Sequence, residues 1–277
     1  MAGFVAQLRA AMHDRRTLLC VGLDSEPGRL PEAVRGAANP WLAFNRAIVD
    51  ATADLVCAYK PNLAFYEAQG PAGLETLLRT LEAIPAGIPV IGDAKRGDVG
   101  HTAQAYARAL FEVYGFSAVT VNPYLGLEAL TPFLVRTDRG VFVLCRTSNP
   151  GAREFQDLPV VLAAGEPPVP LYEAVARRVV AANERGNAGL VVGATYPEEL
   201  RRVRALAPDL PILIPGVGAQ AGDLESAVRY GVDARGELAI INSSRQIIYA
   251  SSGADYAVAA RRVASALRDE INRYRPW

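Results

Sequence analysis

The run Pro89-Val90-Ile91-Gly92-Asp93-Ala94-Lys95-Arg96-Gly97-Asp98-Val99-Gly100-His101-Thr102 passes from an aliphatic strand into a charged turn and then toward a helix. The same pattern recurs along the chain. Short β-branched or aliphatic runs at 18–23, 56–60, 89–95, 118–122, 141–146, 189–193, 212–215 and 238–242 alternate with longer stretches of helical periodicity, the signature of repeated βα units. Eight consecutive units without a break in composition predict a single (β/α)8 barrel domain of the TIM type spanning 1–277. An open doubly wound sheet is the alternative. Polar residues close nearly every strand candidate, and a circular active-site rim explains this better than a single crevice does.

The intervening stretches carry helix start and stop signals. Asn39 before Pro40 supplies a capping side chain ahead of a proline at the first helical position. Glu198 and Glu199 after Pro197 place carboxylates where a helix dipole favours them. Asp223 is placed to cap a helix that Gly231 ends. The last helix is expected over 255–273. The one long irregular segment, 149–170, is rich in Pro, Gly and Ala, and it reads as an insertion, an active-site flap or a passive surface loop.

Composition narrows the function classes. With 29 basic and 29 acidic residues the net charge is zero, so no overall field would draw the protein onto nucleic acid or an anionic membrane. Any bound anion must be gripped locally. No apolar run approaches the ~18 residues of a spanning helix. The first nineteen residues are interrupted by Arg9, His13, Asp14, Arg15 and Arg16, unlike a secretory signal, and the expected location is the cytoplasm. Cys20, Cys57 and Cys145 are odd in number and widely spaced, which suits core residues rather than disulfides or a metal site. His13 and His101 lack partners at metal-ligand spacing and read as surface residues.

The chemistry concentrates at strand ends. Asp93 and Lys95 are two apart and so share a strand face, which would set a carboxylate and an ammonium together at the barrel mouth. Asp98 follows in the loop or first helical turn. By themselves these residues are equally compatible with a structural ion pair and a helix cap. Lys60 ends the second strand candidate before Pro61. Lys60 and Lys95 are the only lysines, 27 of the 29 basic residues being arginine. Lysine can release a proton when its pKa is lowered and arginine cannot, a physical reason for lysine to persist at these two positions. Asp24 ends the first strand candidate, where a carboxylate suits sugar hydroxyls as well as a loop cap. Ser148, after the fifth, could read an amide edge or simply form a turn. Pro215-Gly216-Val217-Gly218-Ala219-Gln220 and Asn242-Ser243-Ser244-Arg245 follow the seventh and eighth, where barrels commonly hold phosphate. A phosphorylated substrate is the inference.

Taken together, Asp24, Lys60, Asp93-x-Lys95-x-x-Asp98-Val99-x-x-Thr102, Ser148, the Pro215 to Gln220 run and Arg245 resemble the orotidine 5′-phosphate decarboxylase family. The resemblance covers essentially the whole chain and points to the branch of longer bacterial sequences with Asn-Ser-Ser-Arg in the eighth loop. Shorter members usually have glycine just before that arginine, where this chain has Ser244. The resemblance implies decarboxylation of orotidine 5′-phosphate to uridine 5′-phosphate in pyrimidine biosynthesis, with no cofactor and no metal. It makes Lys95 the proton donor to C6, places Asp93 near the departing carboxylate, and has Lys60 hold the aspartates and a ribose hydroxyl. Asp24 would bind ribose, Ser148 the pyrimidine edge, and Pro215, Gly218, Gln220 and Arg245 the phosphate end. Asp98 and Thr102 would reach across a homodimer interface into the neighbour's site. Two rival readings are a magnesium-dependent sugar-phosphate decarboxylase or aldolase, whose members carry an acidic ligand at the Lys60 position, and a catalytically silent nucleotide-binding barrel.

Overall fold

A computed structural model describes residues 3–217 and 223–275. Eight parallel strands, β1 (Leu19–Gly22), β2 (Ala58–Lys60), β3 (Ile91–Arg96), β4 (Ala118–Val121), β5 (Gly140–Arg146), β6 (Ala188–Val192), β7 (Ile212–Pro215) and β8 (Ala239–Ser243), lie in the order β2-β1-β8-β7-β6-β5-β4-β3. The sheet closes on itself between β2 and β3. Bridges join Tyr59 to Val90 and Asn62 to Asp93, where the Tyr59 N–H donates to the Pro89 carbonyl and the Asp93 N–H to the Pro61 carbonyl, both at 3.0 Å. The expected (β/α)8 barrel is therefore present. Boundaries differ from the sequence reading by one or two residues, most at the closing seam, where β2 and β3 begin at Ala58 and Ile91 and are joined by single bridges rather than a continuous ladder.

The strands are almost wholly buried, as expected of a parallel sheet covered by helices. Helix starts follow the local chemistry. The Asn39 side chain accepts the Leu42 N–H at 2.9 Å at the head of Pro40–Thr52, and Asp223 accepts the Ser226 N–H at 3.0 Å at the head of Leu224–Gly231. The first helix, Phe4–Asp14, covers the N-terminal ends of the strands. Phe4 meets Phe142 edge-on at 5.7 Å and fills the space left by Gly140, whose missing Cβ would stand 2.4 Å from the Phe4 ring. All three cysteines are buried and free. The 149–170 segment contains a short 3-10 turn, Pro150–Glu154, and a two-rung antiparallel hairpin pairing Pro159 with Pro170 and Val160 with Val169. Its base is fastened to the barrel. The fully buried Arg146 at the end of β5 pairs with Asp157 at 2.9 Å and lies 3.9 Å from the centre of the Tyr196 ring, while the Gln156 side chain bonds Thr147.

Candidate active site

The C-terminal ends of the strands bring Asp24, Lys60, Asp93 and Lys95 into one line of alternating charge. Lys60 Nζ stands 3.9 Å from Asp24 Oδ1 and 3.0 Å from Asp93 Oδ2, and Lys95 Nζ stands 2.6 Å from Asp93 Oδ1. The two lysines differ sharply in environment. The side chain of Lys60 is 4% exposed and that of Lys95 48%. Burial alone would lower the Lys60 pKa, but the charges of Asp24 and Asp93 and the hydrogen bond that Lys60 donates to Asp93 together outweigh it and hold the ammonium above the ordinary lysine range. Lys60 is thus a fixed cation rather than a proton-releasing group, which corrects the sequence-based reason for its presence. Asp93 is the mirror image. Burial would raise its carboxyl, but Lys60 and Lys95 overcome that and keep it below the usual carboxylate range.

Each charged group is held by its own local structure. Asp24 Oδ1 accepts the Asn62 N–H at 3.1 Å. Its chain neighbours are tied into a buried polar network, with Tyr66 donating to the Leu23 carbonyl at 2.8 Å and Ser25 bonding both Asn45 and Trp41 at 2.6 Å. Nothing in a periodicity reading points to this network, because it joins residues spread over the first two βα units. Asp93 and Lys95 do converge, but not through regular alternation. The β3–β4 register shifts between Gly92 and Arg96, and Lys95 adopts φ +49°, a left-handed conformation uncommon for a residue with a side chain.

Beside the charge line lies a cleft of about 350 Å³, within the size range of small-molecule sites. Asp24, Lys60 and Asp93 form one side, and Pro215, Ser243 and Arg245 belong to the other. Two of the residues that line the cleft each carry a buried polar atom with no protein partner, Asn242 Oδ1 and Ser243 Oγ. Sequence reasoning named this loop for its hydroxyls and arginine but singled out only Arg245. Ser244 folds its side chain over Gly22 of β1, where a Cβ would lie 1.8 Å from its Oγ. Ser148 packs its backbone and Cβ on Gly193, and its carbonyl accepts the Thr195 hydroxyl at 3.2 Å. Gly218 and Gln220 lie outside the described residues. Asp98 and Thr102 do not line this cleft. Nor does Asp98 cap the helix Gly100–Arg108, since its carboxylate accepts only the N–H of Val99, the residue preceding that helix. A larger groove, about 850 Å³, runs along that helix and includes His101, Arg108 and Glu128, but it lies away from the strand ends and the charge line.

A closed parallel barrel with a preorganised line of alternating charge at its C-terminal mouth, next to a cleft with unpaired polar atoms, defines a barrel enzyme acting on a small anionic substrate. A family model described as orotidine 5′-phosphate decarboxylase / HUMPS matches residues 17–266. The chain belongs to that family. It is 54% identical over 273 residues to an orotidine 5′-phosphate decarboxylase of Thermomicrobium roseum, covering 98% of this chain and 96% of that one. It is 52% identical over 274 residues to the enzyme of the same name from Ralstonia nicotianae, covering 98% and 99%. Among solved structures, Leishmania donovani OMP decarboxylase superposes with a TM-score of 0.82 at 40% identity over 99% of this chain and 98% of the other. The orotidine 5′-monophosphate decarboxylase of Methanocaldococcus jannaschii shares the fold, with a TM-score of 0.63 at 20% identity over 91% of this chain and 98% of the other.

Proposed function

We infer that this chain converts orotidine 5′-phosphate to uridine 5′-phosphate and carbon dioxide without a cofactor, as a step of de novo pyrimidine synthesis in the cytoplasm. The observation that carries the reading is the Asp24–Lys60–Asp93–Lys95 line, with one cation buried and the other half exposed. The bond from C6 to the carboxylate breaks with its electron pair left on C6, carbon dioxide departs, and the Lys95 ammonium delivers its proton to that carbon. Asp93 faces the departing carboxylate. Two unit charges about 4 Å apart at an effective dielectric near 20 interact by about 4 kcal/mol, roughly a thousandfold in rate. Repulsion from Asp93 therefore supplies only part of the acceleration. The Lys95 charge already in place and the binding energy of the remote phosphate supply the rest.

Lys60 is the positioning cation of the set, because its ammonium is held charged between the carboxylates. Asp24 takes the ribose, Ser148 the pyrimidine edge, and Pro215, Gly218, Gln220 and Arg245 the phosphate end. Asp98 and Thr102 complete the site of a second copy of the chain in a homodimer. Their separation from the chain's own cleft supports this, as do the neighbouring exposed apolar side chains Val99 and Tyr106. The whole chain forms one barrel domain in which 149–170 is an insertion with a fastened base.

The magnesium-dependent alternative requires an acidic ligand where Lys60 stands. Here the space between Asp24 and Asp93 is taken by the Lys60 ammonium, which favours the decarboxylase. The deciding experiment is the loss of orotidine 5′-phosphate absorbance with the purified protein, with and without EDTA, and identification of the product. Rapid EDTA-resistant formation of uridine 5′-phosphate is expected. Binding of uridine 5′-phosphate without turnover would establish the silent barrel, and neither binding nor turnover would overturn both readings.

A further inference from the structure

We propose that Thr120 is a positioning residue for the reaction, its single hydroxyl setting the orientation of both the Asp93 carboxylate and the Lys95 backbone. Thr120 sits in the middle of β4 and is 1% exposed. Along β3 the partners run Ile91 to Ala118, Gly92 to Val119 and then Arg96 to Val121. Three residues of β3, from Asp93 to Lys95, therefore stand opposite Thr120 alone. A bulge of this kind leaves backbone groups without their ladder partners, and a buried unpaired N–H costs about 1–3 kcal/mol. The Thr120 side chain substitutes for the missing ladder. Its Oγ1 accepts the Lys95 N–H at 2.9 Å, and its own proton goes to Asp93 Oδ1, also at 2.9 Å.

These bonds close a small ring. Lys95 Nζ donates to the same Asp93 oxygen at 2.6 Å, so the Lys95 backbone, the Thr120 hydroxyl, the Asp93 carboxylate and the Lys95 ammonium are mutually fixed. Lys95 needs such a restraint. Its φ of +49° is a conformation that costs a side-chain-bearing residue about 1–2 kcal/mol, and the extra backbone acceptor offsets that cost. Thr120 is buried, so it acts through the two charged residues rather than on a ligand. The remaining Asp93 oxygen, Oδ2, accepts from Lys60 at 3.0 Å. Without the hydroxyl, the carboxylate would be positioned by the two lysines alone, and the lysine that must meet C6 would rise from a backbone with one fewer anchor.

The proposal rests on the assignment of Asp93 and Lys95 to the reacting end, so its test carries a readout independent of turnover. Thr120→Val removes the hydroxyl at nearly constant volume and Thr120→Ser keeps it. For Thr120→Val the expected loss in kcat is about 10- to 100-fold, the scale of a sub-ångström to 1 Å misplacement, with KM and the affinity for uridine 5′-phosphate within about threefold of the parent. Thr120→Ser should restore kcat to within about threefold. In parallel, amide hydrogen exchange of the peptide containing Lys95 should quicken at least about tenfold in Thr120→Val and not in Thr120→Ser. If Thr120→Val does not fold, Thr120→Ala is read the same way. A kcat within twofold of the parent in the hydroxyl-free variant, or Thr120→Ser as slow as Thr120→Val, overturns the proposal. If the parent proves inactive, the functional reading fails, and unchanged exchange at Lys95 separately overturns the assignment of Thr120.

Discussion

The floor and the mouth of the barrel each hold a long cation, half-buried at the floor and buried at the mouth, and they treat it in opposite ways. On the floor, near the N-terminal ends of β7 and β8, the Arg204 guanidinium is surrounded by neutral dipoles, bonding the carbonyls of Gly231 at 3.0 Å, Ala207 at 2.8 Å and Leu210 at 2.7 Å. Burial without an equal opposing charge draws its pKa down to about 10. At the mouth, Lys60 is flanked by two carboxylates and its pKa is driven up instead. The floor cation stitches loop ends together and its donors are consumed by the protein. At the mouth the charges are matched to each other, while Asn242 Oδ1 and Ser243 Oγ nearby remain without a protein partner. Burial of charge alone therefore does not mark a site. What marks it is full opposing charge next to polar atoms that still need a partner.

Substitutions at the two ends should separate these roles. The largest effect is expected for Lys95→Ala, which removes both the proposed proton donor and the exposed charge. Turnover should fall at least about 10⁴-fold while uridine 5′-phosphate binding, followed by calorimetry, stays measurable. Substantial residual activity would remove Lys95 from that role. Arg245→Ala should come next, lowering kcat itself as well as raising KM, by about 10²-fold or more in kcat/KM, because remote binding energy is spent on ordering the reacting end. Unchanged turnover at saturating substrate would break that link. Lys60→Met and Arg204→Met then test the comparison directly. Lys60→Met should lose about 3–5 kcal/mol of unfolding free energy and most of the activity, since it removes the cation shared by two partly buried carboxylates. Arg204→Met should lose about 1–3 kcal/mol for its freed carbonyls and leave kcat/KM unchanged. Equal kinetic effects from the two would erase the distinction between floor and mouth.

The smallest effect is on the pH dependence of stability, followed as the urea midpoint. Asp93 has a depressed pKa when folded, so its contribution is complete above the unfolded carboxyl value of about 3.9 and drains away as pH falls below it. Lys60 has a raised pKa when folded, so its contribution is complete below the unfolded lysine value of about 10.4 and drains away as pH rises past it. Between roughly pH 5 and 9 this pair should add no slope, and Lys60→Met should lose its part of the alkaline decline. A Lys60-dependent slope near neutrality would contradict the charge assignment.

The barrel was legible because eight aliphatic runs with polar ends are a repeated local signal. So were the caps at Asn39 and Asp223, which depend on residues three apart. Asp24, Lys60, Asp93 and Lys95 could be named because each ends a strand and because lysine is otherwise absent. What escaped depends on register between strands. The Thr120 hydroxyl matters only because β3 bulges against β4, and the sequence reading of Asp93 and Lys95 as regular alternating residues reached the right proximity by the wrong local geometry. Asn62 escaped for a similar reason, its backbone N–H serving Asp24 thirty-eight positions away in sequence. The intersubunit role of Asp98 and Thr102 came from the resemblance, and neither residue lines the chain's own cleft.

The pairing of Gly22 with Ser244 also has an evolutionary consequence. A methyl group at position 22 would fall 1.8 Å from the Ser244 hydroxyl, so the two positions are epistatic. Replacing Ser244 by glycine first would remove both of the atoms that a Cβ at position 22 would meet within 3 Å. Changing position 22 first meets a collision at the mouth. The order of substitutions at the two positions is thus constrained by the packing of a single side chain, and Gly22 is entrenched for as long as Ser244 is retained.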